Sequence, residues 1–147
     1  MIQDMPSPET LIDVCEATWP AADTQRVGAW AIRDGKGGGK RVSAATENWP
    51  TTEADLPAAE EAMRAIGQDP LFQIRAGDEH LDDMLAQHSY DKVDVVNIWV
   101  ISIAELTREA PPPVSAFAVW PPLSIMNELW ERGAINANRR AVMARAD

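Results

Sequence analysis

The spacing of apolar and polar positions sets out the first elements. Ser7-Pro8-Glu9 reads as a helix start, a hydroxyl cap followed by proline in the first turn and then an acid. Leu11, Val14, Cys15 and Thr18 then fall on one face, and Trp19-Pro20 ends the helix. Residues 26–33 (RVGAWAIR) and 40–46 (KRVSAAT) read as two strands, and the DGKGGG between them as the turn of a hairpin. A polar loop, 47–54, precedes a helix from Asp55 to Ile66. Pro57 is tolerated there because it sits in the first turn. Leu56, Ala59, Met63 and Ile66 form its apolar stripe, and Gly67 its C-terminal stop. Leu71–Arg75 reads as a short strand. Asp78 caps a helix in which Leu81, Met84, Leu85 and His88 recur at helical spacing. Val93–Ile103 (VDVVNIWVISI) is the longest β-branched stretch, apolar on nearly both faces, and predicts a central strand.

Pro111-Pro112-Pro113 is the clearest linker signal. It is followed by a strand candidate at 114–120 (VSAFAVW). Pro121-Pro122 opens a helix carrying Ile125, Met126, Leu129 and Trp130 on one side, stopped by Gly133. Asn136 caps a last helix over 137–146. The order α-ββ-αβαβ, then a proline break, then β-αα, predicts the α/β class: a mixed sheet flanked by helices. It divides the chain into a domain at 1–110 and a proline-led β-αα segment at 111–147.

The chain has 147 residues, of which 46% are apolar, enough for one real core. No apolar run approaches the length of a membrane span. The opening MIQDMPSPET has neither the basic nor the apolar region of a secretion signal, so the expectation is a cytoplasmic protein with no membrane partner. A single cysteine, Cys15, excludes an internal disulfide and a cysteine zinc cage. The net charge of −10 argues against a nucleic-acid partner, which needs a broad basic face. Residues 25–46 run against the trend, with Arg26, Arg33, Lys36, Lys40 and Arg41 against Asp34. Arg132, Arg139, Arg140 and Arg145 make a second basic stretch near the end. Such a strip suits a small anion such as a cofactor phosphate; the plainer reading is a solvated hairpin edge and a solvated terminal helix.

Few residues carry chemistry at usable spacing. Gly39-Lys40 ends like a P-loop, but Asp34 stands at its first glycine and Arg41 at its Ser/Thr, and a strand follows instead of a helix. The stretch therefore reads as a mobile hairpin tip. His80 and His88 lie about 12 Å apart along one helix, too far to share a metal ion. Cys15 faces the buried side of its helix, and no serine stands in a G-x-S-x-G elbow. Three of the six tryptophans, Trp19, Trp49 and Trp120, precede proline, and such pairs either cap a core or line a groove.

Two stretches, TWPAADTQRVGAWAIRDGKGGGKRVSAAT (18–46) and PPPVSAFAVWPPLSIMNELWERGAINANRRAVMARA (111–146), resemble the N-terminal region of a group of bacterial GNAT N-acetyltransferases. The resemblance implies a GNAT-like sheet, with 1–110 as a degenerate GNAT-like domain and 111–147 as the opening of a second GNAT unit. It implies acetyl transfer from acetyl-CoA to an amine acceptor and a substrate groove touched by Trp120, Glu128, Trp130 and Arg132; the residues themselves suggest no metal. The family grips the acetyl-CoA diphosphate with the amides of R/Q-x-x-G-x-G/A. The nearest match here, Gln25-Arg26-Val27-Gly28-Ala29-Trp30, breaks at Trp30. The chain therefore reads as the substrate-side region of such an enzyme, truncated or degenerate and inactive alone. The alternative is a non-catalytic GNAT-like module that packs on a catalytic half or forms a homo-oligomer with copies of itself.

Overall fold

The computed structural model describes residues 5–146. They form a mixed α/β fold with a small three-stranded antiparallel sheet, order β1-β2-β3. Helix α1 spans Pro8–Thr18; Ser7 caps it, its hydroxyl accepting from the Thr10 N–H at 3.2 Å. Strands β1 (Asp23–Val27) and β2 (Trp30–Asp34) pair from Asp23 opposite Asp34 to Val27 opposite Trp30. Strand β3 (Thr46–Glu47) adds to the other side of β2. Helices α2 (Leu56–Ala65) and α3 (Glu79–Gln87) follow, then α4 (Ile103–Leu106), α5 (Ser124–Arg132) and α6 (Ala137–Met143).

The chain divides into two compact units. One comprises 1–91 with 136–147, and the other 92–135. The first holds the core. Trp30 and Ile32 of β2 and Ala45 pack with Leu56, Ala59 and Met63 of α2 and Leu81, Met84 and Leu85 of α3. The Trp30 indole N–H donates to the Asp55 carbonyl at 3.0 Å, so the ring is buried with its one donor satisfied. Phe72 bridges Trp30 and Tyr90, with ring centroids 5.1 and 5.4 Å away. The apolar stripe of α2 packs on the sheet, and that of α3 joins the same core, as their spacing predicts. His88 is exposed at the C-terminal end of α3. On α1 the more covered positions are Leu11, Ile12, Cys15 and Glu16; Val14 and Thr18 face outward.

Several strand expectations are corrected. The hairpin turn is Gly28-Ala29, inside the stretch read as one strand, and Gly28 takes the left-handed conformation at φ +56. Residues 40–42 form a 3₁₀ turn, and only Thr46–Glu47 reach β2. Residues 71–75 make no strand ladder; Phe72 forms one parallel bridge to Ala45. Asp78 stands at the start of α3 but turns its carboxylate to the Arg75 N–H at 2.9 Å. The central strand is β2, not 93–103. Strands are made by pairing, and β-branched content alone cannot supply a neighbour.

The second unit departs furthest from expectation. Residues 92–102 and 114–120 have no strand, and every residue from 92 to 121 is exposed. The only helix in that span is α4, capped by Ser102, whose Oγ accepts from the Glu105 N–H at 3.2 Å. Helix α5 starts after Pro121-Pro122 and stops at Gly133, as the sequence predicts.

Candidate functional site

Three side-chain centres organise the first unit. Arg33 is buried in β2 although it lies on the face opposite Trp30 and Ile32, where alternation would place a solvent-facing residue. Its guanidinium donates to the Ala44 carbonyl at 3.0 Å, the Thr46 hydroxyl at 2.9 Å and Glu16 Oε1 at 2.6 Å. Glu16 Oε1 also accepts from Arg75 Nη2. Burial lowers the proton affinity of Arg33, and the Glu16 carboxylate acts against that. One carboxylate on α1 therefore ties that helix to the sheet and to the 71–78 segment. Beside it lies a cleft of about 190 Å³ that includes Glu9, Ile12, Asp13, Arg75 and Asp78.

Glu47 of β3 has a buried side chain. It accepts from the Thr51 hydroxyl and N–H at 2.9 and 3.1 Å, and meets His80 Nε2 at 2.9 Å. Tyr90 donates to Glu60 at 2.6 Å, and Arg64 adds a second contact to Glu60 at 2.9 Å. The Tyr90 hydrogen bond lowers the Glu60 carboxyl below its ordinary range. Burial, helped by Glu60, pushes the phenol up. In each centre an acid is already occupied by donors from the chain itself. These arrangements fix structure, and none presents a nucleophile beside a free base.

The glycine-rich loop is not a mobile tip. It lies under α6. A β-carbon at Gly38 would fall 2.4 Å from Val142 Cγ2, and one at Gly37 2.5 Å from Asn138 Nδ2. Val142 is fully buried, and Asn136 caps α6 by accepting from the Arg139 N–H at 3.1 Å. The loop is glycine-rich because a helix sits on it. Gln68 clamps its first residue, accepting from the Gly35 N–H at 2.9 Å and donating to the Arg33 carbonyl at 2.7 Å.

The groove residues implied by the resemblance lie in the second unit. Glu128, Trp130 and Arg132 share α5; Glu128 and Arg132, four apart, lie on one side and are exposed, while Trp130 is half-buried. Trp120 sits just ahead of the helix and is 53% exposed. Earlier in the same unit many large apolar side chains are exposed: Val95 is 80% exposed, Trp99 89%, and Ile103, Leu106, Val114 and Phe117 are exposed as well. Of the other Trp-Pro tryptophans, Trp19 is the half-buried C-cap of α1. Trp49 is exposed, with the Arg26 guanidinium 4.3 Å over its ring. Among the described residues no three His, Cys, Asp or Glu side chains converge as metal ligands, and no helix is long and apolar enough to cross a membrane.

No family model, no curated protein and no solved structure matches this chain. The sequence reading missed the Glu16–Arg33–Arg75 centre. No local signal marks it: alternation puts Arg33 on the face opposite Trp30 and Ile32, and its burial rests on an acid brought from α1.

Proposed function

We propose that this chain is the non-catalytic, substrate-side part of a GNAT-like N-acetyltransferase assembly, and that residues 93–123 are its docking segment. The observation that carries the reading is the exposure of that segment. Eight of the eleven residues in 93–103 are Val, Ile or Trp, and none of the eleven is buried. Each such side chain gains about 1.5–3 kcal/mol on full burial. A surface of this kind marks an interaction face. A β-branched run outside any strand suits addition to the edge of another sheet.

The occupant is a catalytic unit that grips acetyl-CoA. The resemblance of 18–46 and 111–146 to GNAT enzymes supports that choice, as does the break at Trp30 in the nearest diphosphate motif. Trp30 is the buried centre of the core here, on a strand, and so is committed to packing. Trp120, Glu128, Trp130 and Arg132 would then border the acceptor amine. A neutral amine attacks the thioester directly once it is positioned, so a substrate-side unit contributes orientation and not covalent chemistry.

Without its catalytic partner, the same face pairs with a second copy. Sedimentation equilibrium at micromolar concentration is expected to show a dimer or larger species that Trp99→Asp converts to monomer. A compact wild-type monomer overturns the docking segment. Calorimetry with acetyl-CoA is expected to show no 1:1 heat; a clear one moves the cofactor grip onto this chain and overturns the division of labour.

A further inference from the structure

Strand β1 is an open edge of the sheet. It ends the strand order, and Asp23–Arg26 are exposed. The β3 side differs. There the Ala45 N–H donates to the Leu71 carbonyl at 2.8 Å, and the Gln73 N–H to the Ala45 carbonyl at 2.9 Å. In an antiparallel ladder, pairs that exchange backbone bonds alternate with pairs that do not. The two-residue turn at Gly28-Ala29 makes Val27 and Trp30 a bonded pair, and Gln25 with Ile32 is the next. Thr24 and Arg26 therefore turn their N–H and C=O groups away from β2. The Asp23 carboxylate holds the Thr24 N–H at 2.8 Å, which blunts part of the edge. The chain also carries a strand-forming run that has no ladder. In 93–103, Val95, Trp99 and Ile101 alternate with Val96, Ile98 and Val100, and none of them lies in a strand.

We propose that β1 is the acceptor edge for residues 93–103 of a second copy, which add to it as a fourth strand. The inference rests on 93–103 being a docking segment and names the surface that receives it. Main-chain bonds from the outward groups of Thr24 and Arg26 supply the pairing, and the Asp23 carboxylate yields the Thr24 N–H to the incoming strand. The sheet has α2 packed on one face and is tied to α1 through Arg33 and Glu16 on the other. A strand that extends a sheet covered on both faces needs apolar residues on both of its sides, as 93–103 has. The occupant is a second copy because one chain alone leaves both elements unpaired: β1 ends the sheet, and 92–102 stay outside it. Each copy offers one edge and one run, so the exchange closes as a two-fold dimer.

Sedimentation equilibrium of the full chain at micromolar concentration is expected to show this dimer. Arg26→Pro removes an outward N–H that the hairpin does not use, and edge strands tolerate proline at such positions; it is expected to weaken the dimer about tenfold. Arg26→Ala loses the same charge and the contact with Trp49 but keeps the N–H, and leaves the dimer unaltered. Asp23→Ala frees the Thr24 N–H and tightens it. In the wild type, hydrogen exchange at the Arg26 amide is expected to slow as the chain is concentrated, together with amides of 93–103, a measurement that needs no variant to fold. Equal weakening by Arg26→Pro and Arg26→Ala overturns the strand addition. So does Arg26 exchange that does not change with concentration, which is also the outcome if the run pairs within its own chain. A dimer that Trp99→Asp breaks and Arg26→Pro leaves intact overturns β1 as the acceptor while the docking segment stands. A wild-type monomer overturns both.

Discussion

The two units treat the same kinds of residue in opposite ways. In the first, Trp30 and Ile32 lie in a strand with neighbours on both sides, and both are fully buried. In the second, Trp99 and Ile101 lie in a stretch with higher β-branched content, and both stand in the open. Hydrophobicity and strand propensity do not separate them. What separates them is the presence of a partner. Gly28-Ala29 folds β1 back on β2 within a few residues, so the loop-closure cost of that pairing is small. Residues 93–103 have Pro111-Pro112-Pro113 downstream and no such turn, and among the described residues no second strand pairs with them.

The strongest test of that contrast replaces one tryptophan in each unit. Trp30→Ala empties the centre of the core and removes the hydrogen bond to Asp55; a loss of about 3–5 kcal/mol is expected. Trp99→Ala is expected to change the stability of the first unit by less than about 0.5 kcal/mol, as for other surface substitutions. Urea unfolding of both variants, followed by near-ultraviolet circular dichroism, checks this. Similar losses for the two would mean that 92–103 belongs to the core.

Where local chemistry decides, the sequence was readable. Ser7, Gly133 and Asn136 mark helix ends because capping acts over three or four residues. The stripes Leu56-Ala59-Met63 and Leu81-Met84-Leu85 were readable because helical spacing shows a face directly. What failed depends on distant partners. The turn at Gly28-Ala29 hides in an apolar run. The glycine loop looks like a free tip until α6, a hundred residues later, is laid over it. Arg33 makes sense only with Glu16 beside it. The groove residues Trp120, Glu128, Trp130 and Arg132 came from resemblance, and no spacing in the chain points to them.

A middle-sized effect is expected where the tail meets the loop. Gly38→Ala puts a methyl into Val142 and the Gly35 carbonyl, and overpacking of this kind costs about 1–3 kcal/mol. Gly133→Ala is the comparison: its added carbon meets atoms at ordinary contact distance, 3.5 Å, in the second unit. Hydrogen exchange is expected to show faster opening of α6 in Gly38→Ala and none in Gly133→Ala. An unchanged α6 would separate the tail from the first unit's stability.

The smallest expected effect lies at the edge of the same core. Tyr90→Phe keeps the ring against Phe72 and removes the bond to Glu60, which is worth about 1 kcal/mol. Its pH dependence is distinctive because both partners are shifted. The Glu60 carboxyl is held below its ordinary 4.5, so its contribution is complete above that value and lost as pH falls through the lowered one. The Tyr90 phenol is raised above its ordinary 10.0, so its contribution is complete below that value and lost as pH rises beyond it. The stability gap between wild type and Tyr90→Phe should therefore be flat from about pH 5 to 9 and narrow at both ends. Thermal melts across that range measure it. A gap that persists below the Glu60 transition would show that the hydroxyl acts through packing, and the contrast between a first unit with a packed core and a second without one would lose one of its polar supports.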